Sequence, residues 1–180
     1  MKTLVAYYSN TGSNKYLAEK IAHSLKCDSE AINPRLNFFP VLMLFSLAKT
    51  SLGVKSLGCK VNEYDRIILC GPIWMGQLVS PLRDFINKYR KNIKELHFVT
   101  CCASTYAAKD MKFGHALVFN KVKTMLGNRC VRCDAFPIGL VLADDKQKDN
   151  NAILKTRLSD HNFTGEIQRR FDEFVQKAVQ

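Results

Sequence analysis

No stretch of this chain is apolar for long enough to cross a bilayer. The longest apolar run, Phe38–Ala48, has only about half of the ~20 residues that a spanning helix needs. No secretory pattern is visible before the strand-like run Thr3–Tyr8, so the expectation is a cytoplasmic protein. Two common nucleotide loops are missing: there is no G-x-x-x-x-G-K-[ST] and no G-x-G-x-x-G. Acidic residues are scarce, 16 Asp and Glu against 27 Lys and Arg, which leaves a formal charge of +11. Such a field attracts anionic cofactors, acidic proteins or nucleic acid. The charge is spread along the chain with no basic tail, which argues against nucleic acid. Tryptophan occurs once, at Trp74. The seven cysteines are odd in number and the chain is large, which excludes a small disulfide-framed scaffold. Cys130-Val131-Arg132-Cys133 is a CxxC, but no second one exists to complete a zinc site. No Cys/His or carboxylate pair stands out as hydrolytic machinery.

What the chain does have is alternation. Thr3–Ser9, Arg66–Gly71, Leu96–Cys101 and Ala135–Leu142 are short and rich in Val, Ile, Leu and Phe, as buried parallel strands are. Cys27–Ile32 is a weaker strand candidate. Helical spacing lies between them: Tyr16, Ile21, Ala22 and Leu25; Leu82, Phe85 and Ile86 after a Ser80 cap with Pro81 at the first helical position; Val118, Val122 and Leu126; and a last helix from a Thr164 cap carrying Ile167, Phe171, Phe174, Val175 and Ala178. The expectation is one α/β domain over residues 1–180, doubly wound around a parallel sheet. Asn33–Lys60 is longer than a connection needs and predicts an extra apolar helix from Pro40 to about Ser51. That segment is apolar nearly all round. It suits a core helix, a lid, a dimer face, or a dock for a hydrophobic substrate or membrane surface.

Ser9-Asn10-Thr11-Gly12-Ser13-Asn14 joins the first strand to the first helix. Small hydroxyl and amide side chains, a glycine, and the free N–H groups of a helix start make an anion site there. A plain strand-to-helix turn with an N-cap is the alternative. The second loop, Gly71-Pro72-Ile73-Trp74-Met75-Gly76, follows the third strand and offers an aromatic face. Trp74 either stacks on a ligand or caps the sheet edge. The third loop, Cys101-Cys102-Ala103-Ser104-Thr105-Tyr106, follows the fourth strand. In a doubly wound sheet these three strand ends gather where the chain reverses direction.

These motifs resemble the flavodoxin family. Its phosphate loop has the form [ST]-x-T-G-x-[ST]; Ser9, Thr11 and Gly12 match, and Asn14 departs from the final hydroxyl residue. The resemblance implies a five-stranded sheet of order 2-1-3-4-5, with the apolar helical insertion between strands two and three. It implies FMN as cofactor. The phosphate would lie on Ser9, Asn10, Thr11, Gly12, Ser13 and Asn14. The ring would lie against Pro72, Ile73, Trp74, Met75 and Gly76, with backbone N–H groups of Cys102, Ala103 and Ser104 and the Tyr106 ring at its pyrimidine side. It also implies that the Met75–Gly76 peptide can turn to bond the protonated flavin N5, with glycine tolerating the positive φ. No catalytic residue and no metal are expected.

Two functions follow from the resemblance: electron transfer with a redox partner protein, or an FMN-dependent NAD(P)H oxidoreductase that reduces a quinone or similar small-molecule acceptor. A flavin-free module for RNA or an acidic protein is a third reading. A homodimer is among the arrangements left open. Many flavodoxins are acidic, so the basic charge here departs from the family's partner logic. Part of the excess, Lys88, Arg90, Lys91 and Lys94, is expected on the side away from the flavin.

Overall fold

The computed structural model describes residues 1–103, 114–147 and 149–179. Its elements are β1 (Thr3–Tyr7), α1 (Ser13–Leu25), β2 (Asp28–Ala31), α2 (Phe39–Leu47), β3 (Arg66–Cys70), the short β4 (Ile73–Trp74) and β5 (Gln77–Leu78), α3 (Ser80–Tyr89), β6 (Glu95–Cys102), α4 (His115–Leu126), β7 (Cys130–Pro137), α5 (Asn150–Lys155) and α6 (Glu166–Val179). The main sheet runs β2-β1-β3-β6-β7, with every pair parallel. β4 and β5 form a separate antiparallel hairpin. Without that hairpin the order is the expected 2-1-3-4-5, and α2 is the expected insertion between the second and third strands.

The strands are central because their side chains alternate between two apolar layers. Leu4, Ala6, Ile67, Leu69 and Phe98 pack on one face with Leu82, Phe85 and Ile86 of α3 and Val118, Val122 and Leu126 of α4. Val5, Ile68, Cys70 and Val99 pack on the other with Leu17 and Ile21 of α1 and Ile167, Phe171 and Phe174 of α6. All five residues of β3 are buried, which is why Ile67–Cys70 after Arg66 reads as an unbroken apolar run.

Several boundaries differ from expectation. The last strand is Cys130–Pro137, and Ile138–Val141 is a 3-10 turn. β7 is an edge strand, so much of it is half-exposed and it lacks a continuous apolar run. Pairing with β6 skips Val131: Leu96 faces Cys130 and His97 faces Arg132. That bulge brings Cys130 and Cys133 to the same core layer, with their Sγ atoms 3.6 Å apart. The CxxC therefore lies inside a strand. Among the described residues no group of three His, Cys, Asp or Glu is placed to hold a metal.

Ser80 is not the cap of α3. Val79 is, and Ser80 is buried in the first turn, where its N–H donates to Ser46 Oγ (2.8 Å) and its hydroxyl to Asp84 Oδ2 (3.1 Å). α6 starts at Glu166, two residues past Thr164; the Gly165 carbonyl accepts from Arg169 N–H. α2 ends at Leu47, short of Ser51, and Lys49 turns the chain away with φ +56°.

A buried polar cluster ties the sheet to α6. Arg66 on β3 donates from Nε to Glu95 Oε1 (2.5 Å) and from Nη1 to the Ala178 carbonyl. His97 Nε2 lies 2.9 Å from the same Glu95 oxygen, and its Nδ1 is buried without a partner. Burial, followed by the Arg66 charge, holds the His97 pKa below its ordinary 6.5 against the opposing pull of Glu95. The unfolded chain then takes up a proton first as pH falls. Stability is unaffected above pH 6.5 and declines below it until the folded value is passed. We expect a loss of up to about 1.4 kcal/mol per pH unit in that window, reduced in His97→Leu; urea unfolding at a series of pH values checks it.

Candidate functional site

Three connections at the carboxyl ends of β1, β3 and β6 meet at one cleft of ≈ 390 Å³. From the first loop, Asn10, Thr11, Ser13 and Asn14 line it. From the hairpin come Pro72, Ile73, Trp74 and Met75, and from the end of β6 come Cys101, Cys102 and Ala103. Ser9, Gly12 and Gly76 do not line the cleft. Ser104 and Tyr106 lie outside the described residues.

The first loop is built by its own hydrogen bonds. Ser9 Oγ accepts from Gly12 N–H (3.1 Å), which closes the turn. Gly12 sits at the start of α1 with φ +101°, in the region that favours glycine, although no neighbour would crowd a β-carbon there. No side chain caps α1, so its first N–H groups and the positive end of its dipole face outward beside the exposed Asn10 and Thr11.

Asn14 and Ser13 have other tasks. The Asn14 amide donates from Nδ2 to the Cys101 carbonyl (3.0 Å) and accepts at Oδ1 from Cys101 N–H (2.8 Å). It thereby completes the backbone pairing of β6 from across the end of β3, and the Cys70 thiol donates to the Asn14 backbone carbonyl (3.4 Å). The amide oxygen and one of the two amide N–H donors are thus committed to Cys101, and Asn14 remains part of the cleft lining. Ser13 Oγ accepts from Leu158 N–H (3.2 Å), which ties the loop to the segment after α5.

The hairpin turns through Met75 (φ +48°) and Gly76 (φ +67°). Both central residues have positive φ, the pattern of a type I′ turn that matches the strand twist. The positive φ of Gly76 therefore belongs to the hairpin as it stands and awaits no ligand. Lys121 on α4 holds this hairpin from behind, donating to the Gly76 carbonyl (3.3 Å) and Gln77 Oε1 (2.5 Å). Trp74 is half-buried and set edge-on to Phe39 (centroids 5.0 Å) and Tyr8 (6.3 Å).

Phe39 and Met43 of α2 also line the cleft, so the apolar segment takes the lid position that was one of its expected options. Sequence reasoning missed the wall made by Ile138, Ile153, Leu154, Thr156 and Arg157 from the connection between β7 and α6, whose length, well beyond the usual few residues, was the available signal. Arg157 is the one charged residue among the described lining, with no carboxylate beside it there. Its Nη1 donates to the Leu154 (2.6 Å) and Thr156 (2.7 Å) carbonyls, which fixes the guanidinium and leaves its charge unneutralised. Burial pushes the Cys70 and Cys101 thiols up, so neither is poised as a nucleophile. The cleft thus has apolar walls and, at one end, a cluster of hydrogen-bond donors under positive potential. Its volume is within the ~300–1,000 Å³ usual for small-molecule sites.

A model of the flavodoxin domain family matches residues 47–144, more than half of the chain. The chain belongs to this family. Solved structures agree on the flavodoxin-like fold. A flavoprotein from Lactobacillus acidophilus NCFM, in complex with FMN, superposes with a TM-score of 0.61 at 19% identity, covering 74% of this chain and 92% of that one. Oxidised flavodoxin 1 from Bacillus cereus gives 0.51 at 14%, covering 99% and 97%. A Fusobacterium nucleatum flavodoxin bound to flavin mononucleotide gives 0.51 at 12%, covering 99% and 98%. Identities this low speak for the fold alone. No curated protein matches the chain.

The brace of the flavodoxin-like site is open to a direct test. Asn14→Ala leaves a buried N–H and a buried carbonyl of Cys101 without partners, and we expect a loss of about 2–3 kcal/mol. Urea unfolding of wild type and variant measures it.

Proposed function

We propose that the chain binds FMN in this cleft and serves as an electron-transfer flavoprotein. The observation that supports the reading is the convergence of the uncapped start of α1, the Trp74 hairpin and the end of β6 on a cleft whose only charged lining residue, among those described, is Arg157. The donor set suits a phosphate monoester. Backbone N–H groups of α1 and the Thr11 hydroxyl take the phosphate oxygens, and Arg157 supplies the opposite charge. Trp74, held in place by Phe39 and Tyr8, and the neighbouring Ile73 and Met43 keep water from a planar ring. Bound there, the flavin supplies one- and two-electron redox chemistry, and the protein sets its orientation and access. No His, Lys, Asp or Glu is among the described lining residues, so that lining offers no general acid or base. This favours a carrier that exchanges electrons with a redox partner over a hydrolase.

A second reading rests on the rim. Phe39, Met43 and Leu154 give the cleft an apolar mouth, which suits a small hydrophobic acceptor such as a quinone and a reductase fed by NAD(P)H. Rapid NAD(P)H oxidation with a soluble quinone selects the reductase; its absence selects the carrier.

Calorimetric titration of apoprotein should show FMN binding far more tightly than riboflavin. Thr11→Val and Arg157→Gln should each weaken FMN by about 1–3 kcal/mol while leaving riboflavin unchanged. Equal affinities for the two ligands would sink the phosphate assignment. Bound FMN should also quench most of the Trp74 emission. Emission from the single indole that stays unchanged at saturating FMN removes Trp74 from the site.

A further inference from the structure

Helix α2 is inside out. Its one polar side chain, Ser46, is completely buried, with its hydroxyl donating to the Leu42 carbonyl (2.6 Å) and accepting from Ser80 N–H (2.8 Å). Leu42 is the only large side chain of the helix that is fully buried. Phe39, Leu47, Pro40 and Leu44 follow one another around ~140° of the outer face, at 100° per residue, with no polar residue among them. Phe38, just before the helix, is 57% exposed and Leu44 is 62% exposed. Met75 and Leu154, on the other walls of the cleft, are also exposed, so the apolar surface surrounds the cleft mouth.

The exposed charge around this surface has one sign; the one nearby carboxylate among the described residues, Asp84, is buried and bonded to the Leu52 and Gly53 N–H groups. No Asp or Glu occurs from Ala31 to Asn62, while Arg35, Lys49 and Lys55 are exposed there. Arg83 packs against the end of α2, donating to the Phe45 and Thr50 carbonyls, and Lys49, Arg83 and Lys121 line a neighbouring hollow of ≈ 400 Å³ with no acidic residue. Burial, then the charges of Lys49 and Arg83, hold the Lys121 amine below its ordinary value; the nearby carboxylate of Asp84 is buried.

We propose that the α2 face docks the protein onto an anionic lipid surface. The outer arc of α2 enters the boundary between headgroups and acyl chains, and Arg35, Lys49 and Arg83 sit at the level of the lipid phosphates. No described helix is long and apolar enough to cross a membrane, so this is attachment to one leaflet. A second copy of the chain fits this face poorly, since it would oppose cations to cations on molecules that each carry +11. The proposal holds whatever the cleft contains.

The test is co-sedimentation of the full chain with vesicles of phosphatidylcholine, alone or mixed with phosphatidylglycerol. We expect binding to the mixed vesicles at least ~10-fold tighter than to the neutral ones, weakening as salt is added. Leu44→Asp with Leu47→Asp should lower it by ~10-fold or more. Lys49→Glu should lower the preference for phosphatidylglycerol. Circular dichroism and thermal unfolding establish that the variants fold. Lack of binding to either vesicle overturns the proposal and leaves the face to a protein partner. Binding that survives in the folded Leu44/Leu47 variant overturns the role of α2. A dimer in light scattering that the same variant dissociates assigns the face to a second copy and also overturns it.

Discussion

The cleft depends on one buried amide. Asn14 comes from the first turn of α1 and reaches past the end of β3 to pair with both backbone groups of Cys101. A strand at the carboxyl end of a parallel sheet leaves polar backbone groups exposed where its neighbour stops, and burying them unpaired is costly. Asn14 satisfies them and fixes the distance between the first and third loops. Ser13 extends the brace to Leu158, so the connection that brings Arg157 is tied to the same turn of helix. Two buried polar side chains thus hold the walls, and the outward-facing donors of the loop are mainly backbone N–H groups and Thr11. A loop rich in Ser, Thr and Asn reads as a set of side-chain ligands; here about half of those side chains are internal scaffolding.

How much was legible follows from how each feature is encoded. The parallel sheet was plain because β3 and β6 are buried on both faces and carry mostly apolar residues, Ile67–Cys70 above all. The three loops were plain because glycine, proline and the lone tryptophan mark them. β7 was misplaced by five residues, since an edge strand with a bulge carries Arg132 and Asp134, which pair with each other in a bidentate contact and carry no apolar signal. Arg157 and the rest of the far wall were missed because they reach the cleft through tertiary packing from a long connection with no motif of its own. The helix caps at Val79 and Gly165 went unread for a related reason: a neighbouring Ser80 and Thr164 offered the usual chemistry one residue away.

Charge and hydrophobicity are distributed with a consistent logic. On the side away from the cleft, Lys88 at the end of α3 donates to the Val54 carbonyl and Lys94 pairs with Asp65. Near α2 and the hairpin, Arg83 and Lys121 also bond backbone carbonyls, and no salt bridge ties either of them among the described residues. The apolar excess of the chain is likewise concentrated beside the cleft, where an inverted helix presents the side chains that a core helix would hide.

The turn at Met75–Gly76 has a mechanical consequence. Rotating its central peptide by half a turn would leave the φ of Met75 positive and swing its ψ by about 180°, into a region that only glycine occupies readily. The side chain of Met75 therefore acts as a detent on the peptide, whatever freedom Gly76 has, while Lys121 anchors the carbonyl of the following peptide, that of Gly76. The rigidity of this hairpin tip is set by the residue before its glycine, and a glycine in place of Met75 would turn a latch into a hinge.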